Sequence, residues 1–394
     1  MANQTGTVKI LALELNGRNL MSAFTSCTIY EDLLRNVWSG HIDIIETENA
    51  RETIPIIGEE IIIIRFASLR PVSGEADTTI QFVGRITKLK NYREGTSSQR
   101  RYRLHFQSIW AEVNKAKRCR KAYTGTGTDI ASKIMKNLMG QEFQTVDPAK
   151  YSEHFVFPNW NQFQCINFLA GVSVSAKYND PAYFLYEDRD GYHFTTLSQL
   201  MDKSYVDTVQ VKLVQGSTDK VADDTLTSII SFDPLFDTIE TAEEGMYGST
   251  LITYDKVNKQ YDEITSTYSE TYDEWVHLGK EKLTDIRAES PKNRFQFMFA
   301  NDTVNPGPYT QSREWALKGM IRAPQVRGHR VHLYLNRSTD YKIGDVLQWD
   351  IKTTQDSNTP DKILSGNWMI TRIRHTFNQV AYNAHVELVK DGRG

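Results

Sequence analysis

Cysteine is scarce in this chain of 394 residues, which holds only Cys27, Cys119 and Cys165. Three cysteines without a Cys-x-x-Cys pair do not make a disulfide framework, so they predict folding in a reducing cytosol. Long apolar runs are also lacking. The best one, residues 61–64, has the length of a buried strand and not of a membrane-spanning helix. Residues 1–10 contain no apolar signal region, so we expect no secretory signal.

The sequence signatures of common enzyme and cofactor sites are missing as well. There is no His-Glu-x-x-His, no Gly-x-Gly-x-x-Gly, no Gly-x-x-x-x-Gly-Lys-Ser/Thr and no Gly-x-Ser-x-Gly. Glu187, Asp188, Asp190 and His193 could act as acid–base groups or metal ligands, but a tight turn explains the same residues. Cys119 lies among cations that would favour its thiolate, yet no Cys-His signature accompanies it. We therefore predict no catalytic, cofactor-binding or metal-binding residues, and no cofactor.

The chain does have enough apolar surface for several cores. Hydrophobic residues make up 40% of it and aromatic residues 11%, which excludes global disorder. The formal net charge of −3 argues neither for nor against a polyanionic partner. At roughly 150 residues per domain, the length predicts two to four domains. Apolar patterns predict strands near both ends, at residues 8–15, 27–30, 41–45, 60–66, 80–89, 102–107, 209–214, 331–336, 346–351, 368–374 and 381–389.

The clearest hairpin of the first region joins residues 82–90 to residues 102–107 through a polar loop that contains glycine. The segment RYRLHF at residues 101–106 alternates apolar and charged side chains. Successive residues of a strand point to opposite faces. Tyr102, Leu104 and Phe106 should therefore face a core, whereas Arg101, Arg103 and His105 should face solvent or a partner.

The sequence pattern changes near residue 124, from strand signals to helix signals, which predicts a mixed α+β region. A Gly-Thr-rich entry leads into a helix for which Thr128 or Asp129 is the expected N-cap and Gly140 the expected end. A second helix is expected to start near Asn161. A hairpin follows, with its tight turn at residues 188–191, because Asp-Gly tolerates the positive φ angles that such turns need.

Charge is distributed unevenly along the chain. Residues 88–121 hold eleven Lys and Arg against two acids, a local net charge of +9, whereas residues 236–290 hold thirteen acids against five Lys and Arg, a net of −8. The basic stretch could follow nucleic-acid phosphates, form a solvated hairpin face, or make an electrostatic seam with the acidic stretch of another subunit. The sequence leaves these three readings open.

Five segments, taken in order, resemble the baseplate hub proteins of contractile-tailed bacteriophages. They are WNQFQCINFLA at residues 160–170, YFLYEDRDGYHF at 183–194, GMYGSTLITYD at 245–255, YKIGDV at 341–346 and GNWMITRIRH at 366–375. In that family the first two form a helix packed against a hairpin, and the last two belong to a closing barrel. The order and the length also match, so the resemblance covers nearly the whole chain.

The resemblance implies an α+β fold that is mainly β, with two tail-tube-like β-barrel domains and two smaller α+β domains. Residues 1–115 would form the first barrel and residues 116–205 an α+β domain. Residues 206–235 together with 313–394 would form the second barrel. Residues 236–312 would form an inserted acidic peripheral domain.

The resemblance also implies a structural protein that performs no catalysis. Three chains would form a pseudo-sixfold ring that joins the tail tube to the central spike and lets DNA pass without specific binding. Its partners would be two further copies of itself, the central spike protein, a tail tube or tube-initiator protein, and other baseplate proteins, with no membrane insertion. It would be assembled in the host cytoplasm and reside in the tail baseplate of the virion.

Two alternative functions remain open at this point. A tail enzyme that degrades glycan or peptidoglycan would need a cleft with a pair of carboxylates. A hub of a type VI-like contractile secretion system is related to the phage hub.

Two sets of residues are predicted to matter for structure and assembly. The structural turn residues are Asp188, Asp190, Gly191, Gly245, Gly344 and Asp345. The candidate subunit or tube interface residues are Arg101, Arg103, Arg118 and Arg120.

Overall fold

A computed structural model of the chain describes residues 9–46, 56–67, 79–94, 99–213, 227–231, 234–255, 259–283, 294–300, 313–335, 340–352, 359–379 and 381–394. Over these ranges strands dominate and helices are short, which confirms the predicted fold class, α+β and mainly β. No helix within them is both long enough and apolar enough to cross a membrane.

Alternating apolar side chains build the strands of the first region. They are β1 Lys9–Leu15, β2 Arg18–Asn19, β3 Phe24–Asp32, β4 Ser39–Glu46, β5 Ile61–Ala67, β6 Thr79–Glu94 and β7 Arg100–Ser108. In β7, Tyr102, Leu104 and Phe106 are 5%, 0% and 1% exposed, as the alternation predicts. β6 and β7 form the predicted antiparallel hairpin, and its loop, residues 95–98, lies outside the described residues.

The middle of the chain mixes short helices with short strands. In order they are α1 Trp110–Ala116, β8 Ala122–Thr126, α2 Gly127–Ile134 with a π-helical turn at Met135–Met139, β9 Phe143–Val146, β10 Ser152–Val156, α3 Gln162–Val172, β11 Tyr183–Asp188, β12 Gly191–Thr196 and α4 Leu197–Met201. Buried side chains of these elements form a core of their own, which includes Ile130, Ile166, Leu169 and Phe194.

Side chains that cap the helices explain where α2 and α3 begin. The predicted N-cap of α2, Thr128 or Asp129, is wrong: Thr126 is the N-cap, and Asp129 is its reciprocal partner three residues on. Gly140 ends the π-helical turn in a left-handed conformation, as predicted. Asn161 caps α3 and exchanges backbone hydrogen bonds with Gln164 in the same way.

The following acidic region alternates strands with short helices. Its elements, with the strands that precede it, are β13 Asp207–Thr208, β14 Gln210–Leu213, β15 Thr227–Ser231, α5 Thr238–Glu243, β16 Gly248–Asp255, β17 Gln260–Thr267, α6 Tyr268–Thr271 with a 3-10 turn at Tyr272–Glu274, β18 Glu281–Lys282 and β19 Arg294–Ala300. β17, β16 and β19 form a three-stranded sheet in that order. The two helices of this region were not expected from the sequence.

The closing region returns to strands after a helical segment. It comprises a π-helical turn at Arg313–Leu317, α7 Lys318–Arg322, a 3-10 turn at Ala323–Arg327, β20 His329–Leu335, β21 Val346–Trp349, β22 Gly366–Phe377, β23 Tyr382–Lys390 and β24 Gly392–Arg393.

One large sheet joins the two β-rich ends of the chain. Its order is β14-β15-β20-β23-β22-β3-β4-β7-β6-β5-β1-β2, with β21 on β22 and β13 on β21. The ends meet where β22 pairs antiparallel with β3, from Arg372 opposite Asp32 to Phe377 opposite Cys27. The two β-rich ends are therefore fixed to each other by backbone hydrogen bonds.

One continuous apolar core lies beneath this junction. Buried side chains from both ends belong to one cluster, which includes Phe66 and Phe377 with ring centroids 5.3 Å apart. A buried polar triad crosses the same seam, because His375 contacts Glu31 at 2.9 Å and Tyr382 at 2.5 Å. The packing of this core therefore does not separate the two β-rich ends into two domains. The domain limits predicted from the sequence remain predictions.

Candidate interaction surfaces

Two of the predicted turns, far apart in sequence, meet in the structure. The Lys342 ammonium pairs with the Asp190 carboxylate. Arg189 donates to the backbone carbonyl oxygens of Asp340 and Tyr341. The 188–191 turn of the middle region is thereby docked onto the loop that precedes β21.

Asp188 organises its own turn. Its Oδ1 accepts hydrogen bonds from the backbone N–H groups of Asp190 at 2.8 Å and Gly191 at 3.2 Å, and lies 3.0 Å from His193 Nε2. Burial alone would raise the pKa of Asp188, but its contacts with His193 hold that pKa below the usual value. Gly191 has a φ of 137°, a conformation that essentially only glycine adopts. The geometry suits a turn, and the residues' roles in assembly remain a proposal.

The second turn is built around Gly344 and Asp345. Gly344 has a φ of 80°, and a Cβ added there would lie 2.7 Å from Leu200 Cδ2. Asp345 Oδ2 accepts a hydrogen bond from the backbone N–H of Lys342 at 2.9 Å. Burial raises the pKa of Asp345 and lowers the pKa of Lys203, since each loses water around its charged form.

Gly245 lies apart from these turns, at the end of α5. Its φ is 95°. Its N–H donates to Ala242 O at 3.0 Å, and the N–H of Met246 donates to Thr241 O at 3.0 Å. These bonds satisfy the last carbonyls of the helix, as a glycine C-cap commonly does.

The four candidate interface arginines do not form one group. Arg101 and Arg103 lie on β7, where Arg103 binds both oxygens of Asp43 at 2.7 and 2.8 Å. Arg118 and Arg120 lie beyond the opposite end of β7, after α1, and Arg120 Nε donates to Asn159 Oδ1 at 2.7 Å. The basic stretch is thus split between a sheet face and a loop.

A buried ionic network that the sequence did not reveal joins three regions of the chain. Arg322, Asp180 and Asp391 are each 0% exposed. Arg322 Nη1 lies 3.0 Å from Asp391 Oδ2, and its Nε lies 3.3 Å from Asp180 Oδ2. His277 Nδ1 lies 2.6 Å from Asp391 Oδ2. Burial alone would raise the pKa of Asp391, but His277 and Arg322 hold it below the usual value.

A second buried acid connects the first β-rich region to the middle region. The Ser108 hydroxyl donates to Glu187 Oε1 at 2.7 Å. Glu187 lies in the β11–β12 hairpin, whereas Ser108 ends β7. Burial raises the pKa of Glu187 to about 8, so this carboxyl stays largely protonated at neutral pH.

The carboxylates of one cleft, beside the β3–β22 seam, are engaged by neighbouring side chains. A cleft of about 530 Å³ beside the β3–β22 seam contains Glu31, Asp32 and Glu387. Arg372 pairs with Asp32 at 3.0 Å and with Glu387 at 3.2 Å, and Glu31 is held by the buried triad described above. Across the described part of the chain, no cluster of three or more His, Cys, Asp or Glu could hold a metal ion. Cys119 is buried.

Comparisons with known proteins identify structures that have the same fold. No family model matches the chain. A tail protein from Neisseria meningitidis MC58 superposes with a TM-score of 0.58 at 11% identity, over 98% of this chain and 96% of that one. The 43 kDa tail protein of prophage MuSo2 from Shewanella oneidensis gives a TM-score of 0.58 at 9% identity, over 98% and 100%. The chain therefore has the fold of phage tail proteins.

A protein with a related sequence indicates which kind of tail protein this chain resembles. A probable baseplate hub protein of Vibrio phage KVP40 is 20% identical over 387 residues, which cover 93% of this chain and 89% of that protein. The resemblance to phage baseplate hub proteins is thereby confirmed. The predicted location in the tail baseplate of a virion agrees with it.

Proposed function

We propose that this chain is a structural baseplate hub that forms a trimeric, pseudo-sixfold ring. The ring joins a sixfold tail tube to a threefold central spike and lets DNA pass without specific binding. The observation that carries the proposal is the continuous sheet, in which the β22–β3 pairing holds the two β-rich ends of one chain side by side.

Symmetry explains why such a pairing is useful. Six equivalent tube subunits cannot contact a trimer equivalently at every position. If each chain presents two similar β-rich regions, three chains offer six near-equivalent docking surfaces on one side. The other side keeps true threefold symmetry for the spike, because only three chains are present.

A hub that transmits force must also be rigid. Several buried contacts between regions of the chain would make it so. The Glu31–His375–Tyr382 triad crosses the sheet junction, and the network of Arg322, Asp180 and Asp391 ties the middle region to the chain's end. The residue ranges 1–115, 116–205, 206–235 with 313–394, and 236–312 are our proposal for the four domains. In this arrangement Arg101, Arg103, Arg118 and Arg120 lie at subunit or tube contacts.

The proposed role involves no covalent chemistry. Two of the cleft carboxylates, Asp32 and Glu387, are ion-paired with Arg372, and Glu31 is paired with His375. A glycosidase needs one carboxyl as an acid and another as a base or nucleophile. A cell-wall hydrolysis assay on the purified protein is expected to show no activity above a buffer blank. Measurable hydrolysis that Glu387→Gln abolishes would instead support the enzyme.

Mass measurement of the purified protein, alone and with a candidate spike protein, tests the ring. We expect a concentration-dependent trimer that the spike stabilises, because ring closure is the normal result of head-to-tail contacts whose rotation closes. A strictly monomeric mass at high micromolar concentration, both alone and with spike, would contradict the proposal.

A further inference from the structure

Two of the three cysteines of the chain meet in the core of the middle region. Cys119 and Cys165 belong to the same buried cluster, at 1% and 0% exposure. Both are free thiols, and the two thiol groups share a hydrogen bond. Two cysteines can be joined without moving the backbone only when their side chains approach each other in this way.

Backbone hydrogen bonds bring the two cysteines together. The N–H of Cys119 donates to Trp160 O at 2.8 Å, in an isolated antiparallel bridge. Trp160 directly precedes Asn161, the N-cap of α3, and the N–H of Cys165 donates to Asn161 O at 3.1 Å. The bridge and the start of the helix therefore position both thiols.

The two thiols differ in acidity, which assigns them different roles. The hydrogen bond with Cys165 lowers the pKa of Cys119, although burial opposes this effect. The same hydrogen bond, together with burial, raises the pKa of Cys165. The thiolate is the nucleophile in thiol–disulfide exchange. Cys119 is therefore the attacking group, and Cys165 is the group that attacks second.

A short loop gives a reagent access to Cys119. Residues 117–121 belong to no helix or strand, and Arg118 and Arg120, on either side of Cys119, are exposed. Local opening of such a segment requires much less free energy than global unfolding. Cys27 differs, because it lies in β3 between the paired strands β4 and β22, and burial raises the pKa of its thiol. We therefore expect Cys27 to be unreactive in the folded protein.

We propose that Cys119 and Cys165 are a redox-active pair that small-molecule disulfides convert into an internal disulfide. The Cys119 thiolate attacks one sulfur of the small molecule, so a mixed disulfide forms and one thiolate leaves. The departing thiolate takes the proton of Cys165, and the Cys165 sulfur attacks the Cys119 sulfur. The second small-molecule thiolate leaves and takes up the proton that Cys119 had released. The protein loses two hydrogen atoms, and the oxidant becomes two thiols.

The location in a virion exposes the pair to both redox conditions in turn. The cytosol keeps thiols reduced, whereas disulfides form and persist on the surfaces of virions. The pair would stay reduced during assembly and close after release from the cell. Closure ties the loop before β8 covalently to α3. The proposal goes beyond the proposed ring and does not depend on it.

Thiol counting on the folded protein tests the pair. The reduced protein is incubated with oxidised glutathione, quenched with acid, unfolded and labelled with a maleimide. We expect the parent to fall from three labelled thiols to one, and proteolysis to release a peptide linked through Cys119 and Cys165. The matched control Cys27→Ala should form the same linkage at the parent rate. Cys165→Ala should retain glutathione on Cys119, because the second attack is missing.

The linked peptide is measured in the parent itself, so the test does not depend on the folding of any variant. A parent that keeps all three thiols would overturn the proposal, and so would glutathione that reacts with Cys27 as fast as with Cys119. Hydrogen exchange at the Cys119 amide, whose acceptor is Trp160 O, should slow roughly tenfold on oxidation, because the disulfide opposes opening of the loop. An unchanged exchange rate would contradict the covalent tie between the loop and α3.

Discussion

Replacing Arg322 by methionine should be among the most damaging single changes in this chain. The guanidinium neutralises two fully buried carboxylates, Asp180 and Asp391, at 3.3 and 3.0 Å. It also donates to Gln325 Oε1 at 2.6 Å and to Val276 O at 2.7 Å. Removing one partner of a buried ion pair typically costs 3–5 kcal/mol, because the other charge is left without compensation.

The lower end of that range applies here, since part of the network survives the change. Asp391 keeps His277, and it keeps the backbone N–H of Leu278 at 3.0 Å. We therefore expect Arg322→Met to lower the free energy of unfolding by about 3 kcal/mol. The matched control is Arg327→Met, which removes partly exposed pairs with Glu240 and Glu244. Pairs of that kind contribute about 0–1 kcal/mol.

Urea unfolding followed by circular dichroism measures both variants against the parent. Hydrogen exchange at the Leu278 amide adds a local readout, because its acceptor belongs to the network. The reasoning is refuted if Arg322→Met costs no more than Arg327→Met, or if Leu278 exchanges at the parent rate in a variant that is otherwise stable.

Three further changes probe other parts of the account. Gly191→Val should cost about 1–3 kcal/mol of folding stability and hinder assembly, because its φ of 137° is unsuited to a β-branched residue; thermal unfolding and particle yield check this. Asp188→Asn should leave assembly largely intact, since an amide oxygen can still accept the two turn hydrogen bonds; loss of infectivity in normally assembled particles would reveal a chemical role. Glu187→Gln should stabilise the protein increasingly as the pH rises from about 4 to 8, by at most about 1.4 kcal/mol per pH unit. The folded-state pKa of Glu187 is raised, to about 8, so the parent loses stability over that window while the glutamine variant does not. The same difference in free energy of unfolding between variant and parent at pH 5 and at pH 8 would contradict this prediction.

Short-range signals explain the parts of the fold that could be predicted. The 188–191 turn, the alternation in β7 and the start of α3 at Asn161 depend on residues a few positions apart. The N-cap of α2 was missed although its signal was present. Thr126 with Asp129 has the spacing of a capping box, and the neighbouring Thr128 is an equally acceptable cap on residue type alone.

Long-range contacts explain what could not be predicted. The network brings together Asp180, Arg322 and Asp391, which are far apart in sequence, and no local pattern marks them as partners. The pairing of β3 with β22 joins strands from opposite ends of the chain. The register and bulges of the β6–β7 hairpin place Lys90 opposite Arg103 and Arg93 opposite Arg101. Composition revealed the excess charge but not its alignment.

Electron cryomicroscopy of the assembled tail tip, with tube and spike attached, tests the central claim most directly. The account predicts three copies of this chain in one ring. The two β-rich regions of each copy should occupy six near-equivalent positions against the tube, and the opposite face should contact the spike with threefold symmetry. The account is contradicted if the ring contains six copies, if the β-rich regions do not alternate around it, or if Arg101, Arg103, Arg118 and Arg120 all point into the channel.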